Sequence, residues 1–269
     1  MVQDLGGKWV LLTGAASGIG KETCLLFAKE GCNLVLADID EGGLENLAAE
    51  LRSLGSEVLY KKTDVTDKGQ IAALAEDVKE RIGSIDILVN NAGIGCSAAL
   101  KDTSDETWER LLNTNFFSAI HMVKAFLPGM IEKGVGQVVN MSTGQVFYPV
   151  PTWGAYAASK AALATYSECL TWELKHLGIN VNTVFPGLVN TPFYDAVEAR
   201  NFGQKFVLWW IRSLGSSPEK IAAKIVEGIK KRKRRVIQSW INWLAYYFRR
   251  PTHPPFELTG EMFARALCE

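Results

Sequence analysis

Metal ligands and disulfide partners are scarce in this chain. Its three histidines, His121, His176 and His253, lie far apart without a ligand pattern around them, so no metal site is expected. The five cysteines, Cys24, Cys32, Cys96, Cys169 and Cys268, are odd in number and lack CxxC spacing. That pattern implies reduced thiols, not a disulfide or zinc framework. No apolar run approaches the ~18 residues of a membrane-spanning helix. Met1 leads into WVLLT without the charged and apolar regions of a signal peptide, and a cytoplasmic location is expected. Lysine plus arginine equals aspartate plus glutamate, 29 each, so no whole-chain field favours nucleic acid. Repeats and low-complexity linkers are also missing.

What is present is an apolar fraction of 48% in 269 residues, enough for one large domain over 1–269. Short apolar runs alternate with helically spaced ones. Strands are expected at 9–13, 33–38, 57–64, 85–93, 137–142 and 179–187, with helices between them. The stretch 108–134 is expected to be one long helix, broken or bent near Pro128 and Gly129. Ser217 and Pro218 mark the start of a further helix. Uniformly apolar strands, each followed by a helix, imply a doubly wound parallel α/β sheet, a Rossmann fold. The aromatic-rich stretch 190–217 interrupts the rhythm after a strand end and is expected to act as a substrate lid. FVLWWI (206–211) reads as its apolar core or as an ordinary buried helix face. Cys96 reads as a small apolar filler or as a pocket residue.

TGAASGIG sets Gly14, Gly18 and Gly20 between a strand and a helix, around Ser17 and Ile19. Backbone can approach a pyrophosphate there, and the helix N-terminus can face it. Asp38 ends the second strand about 20 residues on, where a carboxylate would accept bonds from a ribose and repel a 2′-phosphate. NAD is therefore favoured over NADP. Tyr156 and Lys160 stand one helical turn apart. A phenol with a pKa near 10 is no base at neutral pH, but a nearby ammonium would stabilise the phenolate.

TGAASGIG, NNAG (90–93), Asn115 in LLNTNFF, YAASK (156–160) and PGLVNT (186–191) resemble, in order and spacing, the motifs of the short-chain dehydrogenase/reductase family. The resemblance covers about residues 5–235. It implies an oxidoreductase interconverting a secondary alcohol and a ketone, with Tyr156 as acid/base and Lys160 as its partner and ribose ligand. It implies that Asn115 holds a relay water, and that Asp64 and Val65 sit at the adenine. Asn91, Ala92 and Gly93 would form the cofactor floor, and Pro186, Gly187, Val189 and Thr191 would lie beside the nicotinamide. The family's substrate-holding serine lies thirteen residues before the tyrosine; here that position is Thr143, which is favoured over Ser142. The aromatic lid suggests a lipophilic substrate. A homodimer or homotetramer across helices 106–132 and 156–177 is also implied. A catalytically inactive NAD(H)-binding sensor or scaffold is the alternative function.

The C-terminal extension, 236–269, lies beyond the resemblance. SWINWLAYYFRR puts Trp240, Trp243, Leu244, Tyr247 and Phe248 near one helical face, with Arg249, Arg250 and KKRKRR (230–235) flanking it. Packing over the substrate mouth or against another subunit is favoured; peripheral membrane contact is the second reading. The basic run itself reads as a helix end complementing its dipole, or as an anion site.

Overall fold

The computed structural model describes residues 3–191, 193, 209, 213 and 215–248. His253, Cys268, Arg249 and Arg250 lie outside the described residues, as does the expected lid core at 206–211 apart from Trp209. Among the described residues, seven strands form one parallel sheet in the order β3-β2-β1-β4-β5-β6-β7. They are β1 (Trp9–Thr13), β2 (Asn33–Asp38), β3 (Val58–Lys62), β4 (Ile87–Asn90), β5 (Gly136–Met141), β6 (Ile179–Phe185) and β7 (Arg235–Ile237). The helices are α1 (Gly18–Lys29), α2 (Glu41–Ser53), α3 (Lys68–Ile82), α4 (Asp105–Leu112), α5 (Ser118–Lys133), α6 (Gly154–Leu174), α7 (Pro218–Lys230) and α8 (Trp240–Phe248).

Alternation along the strands divides the core in two. Val10, Leu12, Leu34 and Leu36 pack with Cys24, Phe27 and Leu44 beneath α1, α2 and α7. Leu11, Val35 and Leu88 pack with Leu74, Met122 and Leu170 beneath α3, α5 and α6. This is the three-layer Rossmann architecture expected from the strand pattern. Side-chain caps fix the helix entries: Asp40 accepts from Gly43 N, Asp67 from Gly69 N and Gln70 N, and Ser104 from Thr107 N. Ser217 and Pro218 do open α7, although the serine hydroxyl makes no cap bond to the helix backbone.

Of the break or bend expected at Pro128 and Gly129, a break is absent: α5 runs through both to Lys133. Gly129 is there for packing, since a Cβ would stand 2.7 Å from Ser84 Oγ. The interruption comes earlier, as a π-turn over Asn113–Phe117 that separates α4 from α5 and contains Asn115. Asparagine gives no periodicity signal for such a turn.

The tail helix also differs in its packing face. Asn242 and Ala245 point inward, 0% and 3% exposed, while Trp240, Trp243, Leu244 and Tyr247 face outward. The aromatic face expected to pack is therefore not the packed face of this chain.

Candidate active site

Winding reverses between β3 and β4, so a crevice opens at the carboxyl ends of β1 and β4. A cleft of about 690 Å³ lies there. Its walls include Gly14, Ser17, Gly18 and Ile19; Asp38; Asp64 and Val65; Asn91, Ala92 and Gly93; and Pro186, Gly187, Val189 and Thr191. Ser142, Thr143, Tyr156 and Lys160 line it from the other side. Gly20 and Asn115 do not line it.

The glycine turn is built by close approach. Gly14 has φ +65°, and a Cβ on it would lie 2.9 Å from Ala92 Cα. Gly20 belongs under the turn, not in the cleft: its Cβ would collide with Gly14 O at 1.9 Å. Asn91 Nδ2 donates to Thr13 O and Gly14 O (3.0 and 2.9 Å), tying the first turn to the NNAG loop. Thr13 Oγ1 completes the tie by accepting from Asn91 N and Ala92 N, both at 3.1 Å. Sequence reasoning missed Thr13, although its position directly before the glycine turn was the available signal. Asp38 Oδ2 accepts from Ala16 N (2.9 Å) and Oδ1 from Asp40 N (3.1 Å), which fixes the carboxylate at the rim beside the turn. Asp64 Oδ1 accepts from both the backbone N–H and the hydroxyl of Thr66, at 2.8 and 2.7 Å.

α6 carries Tyr156 and Lys160 into the opposite wall, 9% and 4% exposed. The hydroxyls of Ser142 and Thr143, adjacent in sequence, go different ways because extended backbone sends successive side chains to opposite sides. Ser142 Oγ donates to the Lys160 carbonyl at 3.0 Å, so its hydroxyl is used within the wall. The Thr143 hydroxyl accepts from Gln145 N at 3.4 Å and acts on the Tyr156 phenol, drawing its pKa down. Lys160 Nζ donates to Met141 O at 2.9 Å. Asn115, 1% exposed, spends its amide on Ile94 and Ser159. Oδ1 accepts from Ile94 N at 2.8 Å; Nδ2 donates to Ile94 O at 2.9 Å and to Ser159 Oγ at 3.0 Å. Ser159, inside the YAASK stretch, was also missed; its hydroxyl donates to Tyr156 O at 2.7 Å.

Burial dominates the site's electrostatics. It pushes the Tyr156 phenol up to about 12, with the Thr143 hydroxyl pulling the other way. It pushes the Lys160 ammonium down to about 8. The expected lowering of Tyr156 by Lys160 is thus not a property of the protein groups alone, because Lys160 directs its charge at Met141 O. Around Tyr156 the wall is aromatic: Trp153 meets it edge-on at 5.7 Å and Phe193 lies at 5.6 Å. Thr152, held at φ 69°, shapes this wall through bonds to Ala98 N and the Ser97 hydroxyl. Cys96 is half-buried and does not line the cleft.

Residues 8–201 match the family described as short chain dehydrogenase. The chain belongs to that family. Among curated relatives, "Probable oxidoreductase EphD" of Mycobacterium tuberculosis is 36% identical over 85% of this chain; the match spans only 40% of that protein's length. The "3-oxoacyl-[acyl-carrier-protein] reductase FabG" of Thermotoga maritima is 40% identical, covering 73% of this chain and 80% of that one. A Burkholderia phymatum short-chain dehydrogenase/reductase in complex with NAD superposes with a TM-score of 0.85, at 29% identity and 96% coverage of both chains. A Sphingobium yanoikuyae relative in complex with NADPH superposes at 0.78, with 27% identity, 93% of this chain and 95% of that one. One of these two solved relatives thus holds NAD and the other NADPH. Among the described residues, no helix of this dehydrogenase is long and apolar enough to cross a membrane.

Proposed function

We propose that this dehydrogenase interconverts a secondary alcohol and a ketone on a lipophilic substrate, with NAD preferred to NADP. The observation that carries the reading is the meeting of Thr143, Tyr156 and Lys160 on one wall of the cleft, with the Thr143 hydroxyl drawing the pKa of the Tyr156 phenol down against burial. Two hydroxyls meeting there can grip one substrate oxygen, Thr143 by donating to it and Tyr156 by exchanging its proton. Ser142 holds the Lys160 backbone instead. The dinucleotide, when bound, accepts or returns the hydride at the same carbon.

The residues present fit that cofactor. No Cβ narrows the turn at Gly14, and α1 begins at Gly18 with its Ser17 side chain uncommitted to capping. Such an N-terminus suits a pyrophosphate. Asp38 would accept the adenine ribose hydroxyls and oppose a 2′-phosphate. Asp64 and Val65 would border the adenine, and Asn91, Ala92 and Gly93 its floor. Pro186, Gly187, Val189 and Thr191 would flank the nicotinamide end.

Lys160, reduced to about 8 by burial, would exchange protons near neutral pH and hold a ribose hydroxyl. Asn115 has spent its side chain on Ile94 and Ser159, so any relay water would be held by its main chain in the π-turn. The preference for a lipophilic substrate rests on Trp153, Phe193 and Leu188 beside the phenol, with 190–217 as the proposed lid. Phe117 and Ile131, 42% exposed each, support assembly across α5 and α6 as a homodimer or homotetramer. A screen of secondary alcohols and ketones, followed by nicotinamide absorbance with NAD and with NADP, tests the reading. Turnover of apolar ketones with NADH supports it; bound NADH with no turnover on any substrate favours the sensor alternative.

A further inference from the structure

α8 is fastened to the active-site wall by its inner face. Asn242 Nδ2 donates to Phe185 O at 3.1 Å, and Oδ1 accepts the Tyr148 hydroxyl at 2.7 Å. Gly144, directly after Thr143, has no room for a Cβ, which would lie 2.3 Å from the Asn242 amide. With that face committed, the outer face carries Trp240, Ile241, Trp243, Leu244 and Tyr247, exposed by 75%, 46%, 52%, 44% and 60%. Singly exposed apolar residues are ordinary, but five on one nine-residue helix form a patch that signals a docking surface.

The surroundings are cationic although the whole chain is neutral. No carboxylate occurs between Glu227 and Glu257. Lys224, Lys230, Lys231, Lys233, Arg234 and Arg235 share only Glu227, Glu30 and Glu168 as ion-pair partners among the described residues. Arg232 bonds to the neutral Gln3. A groove of about 400 Å³ is lined by Lys224, Lys233, Arg234 and Arg235 together with Trp243 and Tyr247, and by Glu227 as its one carboxylate.

We propose that this face docks the enzyme on an anionic lipid surface, with α8 lying in the headgroup plane. Tryptophan and tyrosine favour the boundary between water and hydrocarbon, and basic flanks are drawn to anionic headgroups. The groove can seat a phosphate against Lys233 and Arg235 while the rings enter the acyl boundary. A two-fold pairing of this face with a second copy would instead set its cations against their own copies. Because Tyr148 both lines the cleft and holds Asn242, docking brings the substrate end of the cleft to the bilayer. The docking itself does not depend on which substrate is turned over.

The test is co-sedimentation of the full chain with vesicles of phosphatidylcholine, alone or mixed with an equal part of phosphatidylserine. The chain should pellet with the mixed vesicles, far less with phosphatidylcholine alone, and less as salt rises. Trp240→Ala/Trp243→Ala and Lys231→Gln/Arg232→Gln should each lower partition by about tenfold or more, with circular dichroism and NADH binding unchanged. Full-length protein remaining in the supernatant with mixed vesicles overturns the proposal. If the tryptophan pair then also reduces particle mass in gel filtration, the face joins copies of this chain. Pelleting unchanged in both double variants also overturns it, by placing the lipid contact elsewhere.

Discussion

Residues 9–93 and residues 140–248 form opposite walls of one cleft, yet they are held by different kinds of contact. The first wall is made of turns at strand ends, where small residues admit backbone and short polar side chains tie neighbouring loops. Asn91 reaches Thr13 and Gly14 across two adjacent strands, and Asp38 reaches back to Ala16. The second wall is assembled from segments far apart in sequence. Tyr148 meets Asn242, Gly187 N donates to Gln238 Oε1 at 3.0 Å, and Val189 bridges to Ser216. A wall whose chemistry lies in its backbone geometry can be read from local spacing. A wall whose chemistry lies in side-chain encounters cannot.

After loss of the phenol itself, the largest effect is expected from its neighbour on the second wall. Thr143→Ala should lower kcat by about 10²-fold or more, by analogy with the loss of one oxyanion donor. Ser142→Ala should keep most activity and cost about 1 kcal/mol of stability, because it deletes only a bond to the Lys160 carbonyl. Steady-state rates and thermal melts on both variants separate these roles. A larger rate loss for Ser142→Ala would break the assignment.

That pair marks how far the sequence could be read. The doubly wound parallel sheet and the glycine turn were legible because apolar runs and turn glycines are local signals. Tyr156, Lys160, Asp38 and NNAG were legible as motif positions, and the structure brings them to one cleft. Counting from Tyr156 favoured Thr143 over Ser142, and only in space is it visible that the neighbouring hydroxyls face opposite directions. The π-turn at Asn115 was not legible, since no residue type marks a widened turn. Nor was the inward face of α8, where a buried Asn242 outweighs five aromatic and aliphatic neighbours because Gly144, Tyr148 and Phe185 happen to receive it.

Asn242→Leu sharpens the comparison next. It leaves the Tyr148 hydroxyl and Phe185 O without their partner and should cost about 2 kcal/mol. Melting should fall, while NADH affinity, set by the first wall, should stay within a few-fold. An equal loss of NADH affinity would mean that the walls are not separable.

Lys160 supplies a pH-dependent difference of similar size. Burial holds its folded pKa near 8 against 10.5 for a lysine open to water, so between these values the unfolded chain binds the extra proton. Stability should therefore rise with pH across that window relative to Lys160→Met, by on the order of 2 kcal/mol. Tyr156, raised to about 12, acts oppositely: its contribution is present below pH 10 and lost as pH climbs toward 12. Denaturant midpoints of both proteins at pH 8 and pH 10 measure the difference. A parallel response would show that Lys160 is not held down by burial.

The smallest effect belongs to the first wall. Asp38→Ser removes the charge that would oppose a 2′-phosphate and should shift the NAD-to-NADP ratio of kcat/KM by roughly tenfold toward NADP. A native preference for NADP would contradict the role proposed for Asp38.

The central claim is that the phenol on the second wall does the proton transfer while the first wall binds the cofactor independently. Tyr156→Phe tests it most directly, with kcat on the best ketone measured beside NADH affinity by fluorescence. The account predicts a loss of about 10³-fold or more in kcat with NADH affinity unchanged within a few-fold. Near-native kcat in Tyr156→Phe would contradict it.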